Sequence, residues 1–79
     1  MSETPGNSTL SERDRAILDF ESRAPRRIGA KEEAIRGELG MTPVRYFQRL
    51  NSLIDDPSAI AAYPALTARL RRVRDAGAI

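Results

Sequence analysis

The side chains with the most evident chemistry in this 79-residue chain are hydrogen-bond donors placed at helical spacing between residues 43 and 55. Arg45, Gln48 and Arg49 would lie on one side of a helix over that segment, because positions three and four residues apart share a helix face. Arginine and glutamine donate hydrogen bonds to the edges of guanine and adenine in the major groove of DNA. We therefore expect these three side chains to contact bases.

A second set of residues has the side-chain types that contact DNA phosphates. The candidates are cationic or carry a hydroxyl group: Arg26, Arg27, Lys31, Thr42 and Ser52. Such side chains make many of the protein contacts to phosphate oxygens. The stretch from Val44 to Leu53 contains no acidic residue that would repel the DNA backbone. For the three cations that cluster at the start of the second predicted helix, a solvated loop is an equally good interpretation.

The composition excludes several common kinds of site. The chain has no cysteine and no histidine, so it lacks the usual ligands of zinc fingers and iron–sulfur centres. It also lacks a thiol nucleophile and the histidine of a Ser–His–Asp triad. Asp55 and Asp56 are adjacent carboxylates, but Asp56 precedes Pro57 and is better explained as a helix cap than as a metal ligand. We therefore expect neither an enzyme nor a bound metal or cofactor.

Positive charge is concentrated in the second half of the chain. The 13 cations and 11 anions give a net charge of only +2. Residues 1–40 carry seven cations and eight anions, whereas residues 41–79 carry six arginines and three anions. A basic half of this kind suits binding to a polyanion. The last predicted helix carries four arginines that project around most of its circumference: Arg69, Arg71, Arg72 and Arg74. They could bind DNA, bind an acidic protein or only face solvent.

The elements that would position these groups are all helical. A capping box at Ser11 and Asp14 begins the first helix, which ends near Pro25. Further helices are predicted over residues 30–39, 43–55, 57–62 and 64–76. On the third of these five helices an apolar arc of about 120° should be buried; it consists of Tyr46, Phe47, Leu50, Leu53 and Ile54. The apolar residues Leu66, Leu70 and Val73 should be buried on the last helix.

A tight turn joins the second and third predicted helices. Gly40 is placed to end one helix in the left-handed conformation, Thr42 to cap the next and Pro43 to occupy its first turn. This arrangement is typical of a helix-turn-helix motif, whose second helix enters the major groove. Many such motifs have a small residue four positions before the glycine. Arg36 at that position predicts a looser crossing or a slight rotation of the helices, and an ordinary helical hairpin is the alternative.

Three stretches resemble a known family. Residues 29–36, 39–57 and 63–75 resemble a family of small actinobacterial proteins of unknown function, and the most specific part is the run Tyr-Phe-Gln-Arg-Leu-Asn-Ser-Leu-Ile-Asp-Asp-Pro that ends at Pro57. The resemblance implies a helix-turn-helix-like domain over about residues 10–75 and no particular reaction or ligand. The run Leu-Ser-Glu-Arg-Asp-Arg-Ala-Ile-Leu in the first helix is also similar to the lead helix of sigma-factor and response-regulator DNA-binding domains.

The sequence therefore predicts an all-α fold, a compact helix-turn-helix-type bundle of about four to five helices over residues 10–76. A disordered lead-in over residues 1–9 precedes it, and a short tail over residues 77–79 follows. Because no apolar run approaches the roughly 20 residues that cross a bilayer, and the absence of cysteine suits a reducing compartment, we expect a cytoplasmic protein without a membrane partner.

Double-stranded DNA is the expected partner, with helix 43–55 in its major groove. The protein would then be a transcription regulator or an architectural factor. A domain this small makes few contacts by itself, so we expect a homo-oligomer. The alternative is a protein-interaction module that docks on transcription machinery or another acidic partner, and the low net charge favours that interpretation.

Overall fold

The computed structural model describes residues 10–77. The predicted lead-in, residues 1–9, and the last two residues of the predicted tail lie outside this range. The helices are α1 (Glu12–Arg23), α2 (Ile28–Ala34) with a π-helical continuation (Ile35–Leu39), α3 (Pro43–Ile54), α4 (Pro57–Ala62) and α5 (Pro64–Asp75). Residues 10–77 contain no strand, so the predicted all-α class is confirmed.

Three predicted helix starts are made by short side chains that accept a backbone hydrogen bond. The Ser11 hydroxyl accepts from the Asp14 amide at 3.0 Å, and the Thr42 hydroxyl accepts from the Arg45 amide at 3.2 Å. The Asp56 carboxylate accepts from an amide in the first turn of α4 at 2.8 Å. Each contact satisfies an N–H group that has no partner inside its own helix. Asp56 is therefore a helix cap, as its position before proline predicts.

The segment before the tight turn differs from the sequence prediction. Its helix begins at Ile28 rather than at residue 30, and its last five residues are wound as a π-helix. A π-helical turn contains more residues than an α-helical turn, so it changes which side chains face the core. Ile35 is fully buried, whereas Arg36 is exposed. The large side chain four positions before Gly40 thus points away from the helix contact, and Gly40 ends the element with φ of 64°, as predicted.

One apolar core joins the helices, and α3 contributes the largest share of it. Tyr46, Leu50, Leu53 and Ile54 are buried, as predicted, and Phe47 is half-buried. The full set of buried apolar residues is Leu10, Ile17, Leu18, Phe20, Ile35, Tyr46, Leu50, Leu53, Ile54, Ala59, Leu66 and Leu70. Because the inward side of α3 is fixed by this core, its remaining polar side chains must face solvent.

The prediction that Val73 is buried is wrong. Leu66 and Leu70 are buried, but the side of α5 near Val73 borders an open groove, and Val73 is 37% exposed. Thr67 is buried instead, and its hydroxyl donates to the Tyr63 carbonyl at 2.9 Å. That hydrogen bond satisfies a polar group that would otherwise be costly to bury.

Candidate nucleic-acid interface

The outward side of α3 and the turn before it form a shallow, solvent-open concavity of about 640 Å³, here called the α3 groove. Its lining consists of Arg13, Gly40, Met41, Thr42, Arg45, Gln48, Arg49 and Ser52. Five of the eight side chains predicted to contact DNA thus lie in one place, including all three predicted base contacts. The lining contains three arginines and no acidic residue. This concavity therefore presents hydrogen-bond donors to an anionic ligand.

Arg13 is a member of the α3 groove that sequence reasoning missed. Its guanidinium donates to the Leu39 carbonyl at 2.9 Å and so ties α1 to the end of the π-helical segment. A carbonyl at a helix end has no partner in its own helix, and a cation there also opposes the partial negative charge of that end. The two residues are 26 positions apart, so only the packing of α1 beside the turn brings them together.

Arg45 and Gln48 are the most available of the predicted base-contacting side chains. Both are exposed, and neither side chain has a hydrogen bond or ion pair to another side chain within residues 10–77. Val44, beside them on the first turn of α3, is 66% exposed. The Thr42 hydroxyl is occupied as the helix cap, and the Ser52 hydroxyl donates to the Gln48 carbonyl at 3.4 Å.

Arg49 holds a carboxylate from another helix. Its Nε and one terminal nitrogen donate to the two oxygens of Asp14 at 2.8 and 2.7 Å. The Asp14 side chain is 7% exposed and the Arg49 side chain 48%. Hydrogen bonding to Arg49 lowers the pKa of Asp14 despite burial, which acts in the opposite direction, and the same bond raises the pKa of Arg49. The pair fixes α3 against α1, and two of the five guanidinium N–H groups are already engaged.

Lys31 lies outside the α3 groove, in a compact polar cluster behind α3. Its ammonium group is 2.9 Å from Oε1 of Glu21, and the exposed fractions of the two side chains are 15% and 9%. The Tyr46 hydroxyl donates to the same carboxylate. Burial, together with the negative charge of Glu21, raises the pKa of Tyr46. The Lys31 charge is therefore already paired with a carboxylate, on a surface away from the α3 groove.

The other two predicted phosphate contacts are also outside the α3 groove. Arg26 and Arg27 are exposed in the connection between α1 and α2. Arg26 lines a second concavity of about 900 Å³, here called the α5 groove. On α3, Phe47 and Leu50 line that groove, and at about 100° per residue they lie opposite the side chains of the α3 groove. The structure therefore does not bring all predicted phosphate contacts to one surface.

The described part of the chain also bears on two other kinds of site, a metal centre and a membrane-spanning helix. Within residues 10–77, no group of three or more carboxylate side chains is arranged to hold a metal ion. Asp55, the other half of the adjacent carboxylates, receives two hydrogen bonds from the Arg74 guanidinium at 2.9 and 3.1 Å. Among the helices over residues 10–77, none has the length and apolar character to cross a membrane.

Comparison with known proteins identifies a family for this chain but no match among curated proteins or solved structures. A search of curated proteins and a search of solved structures return no match. A family model matches residues 9–78, which is nearly the whole chain. The resemblance to a family of unknown function is thereby confirmed: the chain belongs to the family described as protein of unknown function (DUF3263).

Proposed function

We propose that this protein binds double-stranded DNA in a helix-turn-helix-like manner, with α3 in the major groove, and that its role is binding rather than catalysis. One observation carries the proposal: the α3 groove gathers three arginines, an amide and two hydroxyl side chains with no acidic residue in its lining. A surface of donors without an acidic residue suits phosphate oxygens and the acceptor atoms on base edges.

Within the groove we assign different roles to the side chains. Arg45 and Gln48 have free donors on the exposed side of α3 and would contact bases, Arg45 by a bidentate hydrogen bond to guanine and Gln48 by one to adenine. Val44 offers an exposed apolar surface suited to a thymine methyl group. Arg13 would contact phosphate, as would the remaining N–H groups of Arg49.

The size of this surface favours binding by two copies. A single module of this kind buries about 600–1,000 Å² on DNA, and one short helix reads only a few base pairs. Two copies on half-sites about 34 Å apart would double the contacts along one face of the duplex. As a regulator or an architectural factor, the protein would then act as a homo-oligomer on DNA.

Fluorescence anisotropy with a labelled duplex of about 20 base pairs, titrated at several salt concentrations, tests the proposal. We expect binding that weakens steeply with salt, because each phosphate contact releases a counterion. Arg13→Ala should lower the slope of log affinity against log salt by about one. Arg45→Ala combined with Gln48→Ala should reduce discrimination between duplex sequences.

Arg72→Ala is the matched control, because Arg72 is an exposed arginine of α5 that does not line the α3 groove. It should leave both the salt slope and the sequence preference unchanged. Salt-independent binding, or an equal loss in the Arg72 and Arg45 variants, would show that the α3 groove is not the DNA-binding surface.

A further inference from the structure

The α5 groove is a second surface whose chemistry differs from that of the α3 groove. Its floor contains the buried side chains Leu50 and Leu70, with Phe47 half-buried beside them. Of the three large apolar side chains that are exposed within residues 10–77, two lie at this groove: Ile28 at 60% and Val73 at 37%. Clustering of exposed apolar side chains in one concavity is typical of an interaction site.

The charge at this groove points to an acidic occupant. Arg26 and Arg69 line it, are exposed, and make no ion pair within residues 10–77. Glu21 is the one acidic residue in the lining, and its carboxylate already receives the Lys31 ammonium and the Tyr46 hydroxyl. Two cations at the groove are therefore left without a local anion.

The backbone around the groove constrains the shape of an occupant. The walls are the ends of α1 and α2, the side of α3 and the side of α5. Helices offer no strand edge to which an extended peptide could add. An amphipathic helix satisfies its own backbone groups while it inserts an apolar face, so it suits this groove better than an extended peptide does.

We propose that the α5 groove docks an amphipathic helix of a partner protein, with apolar side chains on one face and Asp or Glu at its borders. A second copy of this chain fits less well, because a two-fold contact through the same surface would add two more arginines and no free carboxylate. The α3 groove lies on the opposite side of α3, so the inference does not depend on DNA binding, and both surfaces could be occupied together.

Selection from a display library of random peptides of about 16 residues, long enough to form a helix, tests this inference on the full chain. Arg26→Glu combined with Arg69→Glu serves for counter-selection, and Arg36→Glu combined with Arg71→Glu reverses the same number of charges at exposed arginines outside the groove. We expect enrichment of peptides with apolar residues at helical spacing flanked by Asp or Glu. Their affinity should fall about tenfold or more in the groove variant and stay unchanged in the control variant.

Val73→Ser should weaken the same peptides, because it removes apolar surface from the groove without emptying the core. Failure to enrich any peptide, enrichment of basic peptides, or equal binding to the groove variant would overturn the inference. Sedimentation of the chain alone provides a further check: self-association that Val73→Ser abolishes would identify a second copy as the occupant and would also overturn it.

Discussion

Replacing Arg49 by alanine should destabilise the fold more than the same replacement of Arg45, the other arginine of α3. The Arg49 guanidinium makes two hydrogen bonds to Asp14, at 2.8 and 2.7 Å. The Asp14 carboxylate is 7% exposed with Arg49 in place, and in the variant it would lose both of these hydrogen bonds and keep little more than Ser11 as a polar neighbour. A buried charge that loses its partner is among the costliest results of a single substitution.

The magnitude follows from the burial of the two partners. Removing one partner of a fully buried ion pair costs about 3–5 kcal/mol, and a hydrogen bond to a charged group contributes about 1.5–3 kcal/mol. Arg49 is 48% exposed, so water screens part of the interaction, and the loss should lie below the range for a fully buried pair and within that for a charged hydrogen bond. We expect a loss of about 2 kcal/mol in the free energy of unfolding, and a fall in Tm of about 8–16 °C for a domain of this size.

The partners should respond unequally. Asp14→Asn leaves Arg49 half exposed, where water can hydrate the guanidinium, so we expect a loss of only about 1 kcal/mol. Arg45→Ala is the matched control on the same helix: its side chain is exposed and has no ion pair within residues 10–77, and the change should stay within about 0.5 kcal/mol. Urea unfolding followed by far-ultraviolet circular dichroism at neutral pH measures all three variants.

The pH dependence of the difference between wild type and Arg49→Ala gives a second test. Arg49 lowers the pKa of Asp14 from its ordinary 3.8, so the pair stabilises the fold fully above that pH and loses its effect as pH falls through the lower folded-state pKa. In Arg49→Ala, burial without a cation raises the pKa of Asp14. As pH falls, Asp14 is therefore protonated in the variant before it is protonated in the wild type, and the cost of its unpaired charge disappears. The difference in stability should therefore shrink in acid. A difference that stays constant into acid, or equal losses in Arg49→Ala and Arg45→Ala, would refute this reasoning.

Three further predictions concern other parts of the fold. Gly40→Ala should cost about 1 kcal/mol because φ is 64° there, whereas Gly37→Ala, where an added Cβ meets nothing within 4 Å, should be neutral or stabilising; equal urea midpoints for the two variants would contradict the assigned cap. The raised pKa of Tyr46 means that its contribution to stability is complete below the unfolded pKa of about 10 and is lost as pH rises through the folded-state pKa. Tyr46→Phe should therefore reduce the fall in Tm at alkaline pH. If Tm falls as steeply with pH in the variant, ionisation of Tyr46 is not the cause of that fall. Thr42→Ala should cost about 1 kcal/mol through loss of the helix cap, with Thr42→Ser close to wild type; a loss as large in the serine variant would show that the hydroxyl is not what matters.

Features that depend on neighbouring residues could be predicted from the sequence. Ser11, Thr42 and Asp56 cap their helices because a side-chain oxygen reaches an amide two or three residues ahead, and Gly40 ends its helix because it accepts a positive φ. These interactions are local in sequence, so they can be predicted without knowing how the helices pack. For the same reason, the gathering of Arg45, Gln48 and Arg49 on one side of α3 followed from helical spacing alone.

Features that depend on how the helices pack could not be predicted. Asp14 and Arg49 are 35 positions apart, and neither segment specifies that α1 packs beside α3 with these two side chains at the same level. The π-helical segment before Gly40 is another example: it begins at the buried Ile35, and no local sequence pattern predicted its winding. The second groove was missed for a related reason: Val73 has the spacing of a buried residue, but whether a neighbouring helix covers it is decided by the packing.

Under the proposed function, the same packing would decide which arginine is free to contact DNA. If Arg49 left Asp14 to contact a phosphate or a base, it would gain charge-assisted hydrogen bonds worth about 1.5–3 kcal/mol and would leave behind a buried carboxylate at a cost of about 2 kcal/mol. The two energies nearly cancel, so DNA provides little drive to break the pair. We therefore expect Arg49 to hold α3 in place while Arg45 and Gln48 contribute most of the base recognition. Asp14→Asn removes the competing charge, and its duplex affinity at low salt should exceed that of the wild type even though its fold is less stable.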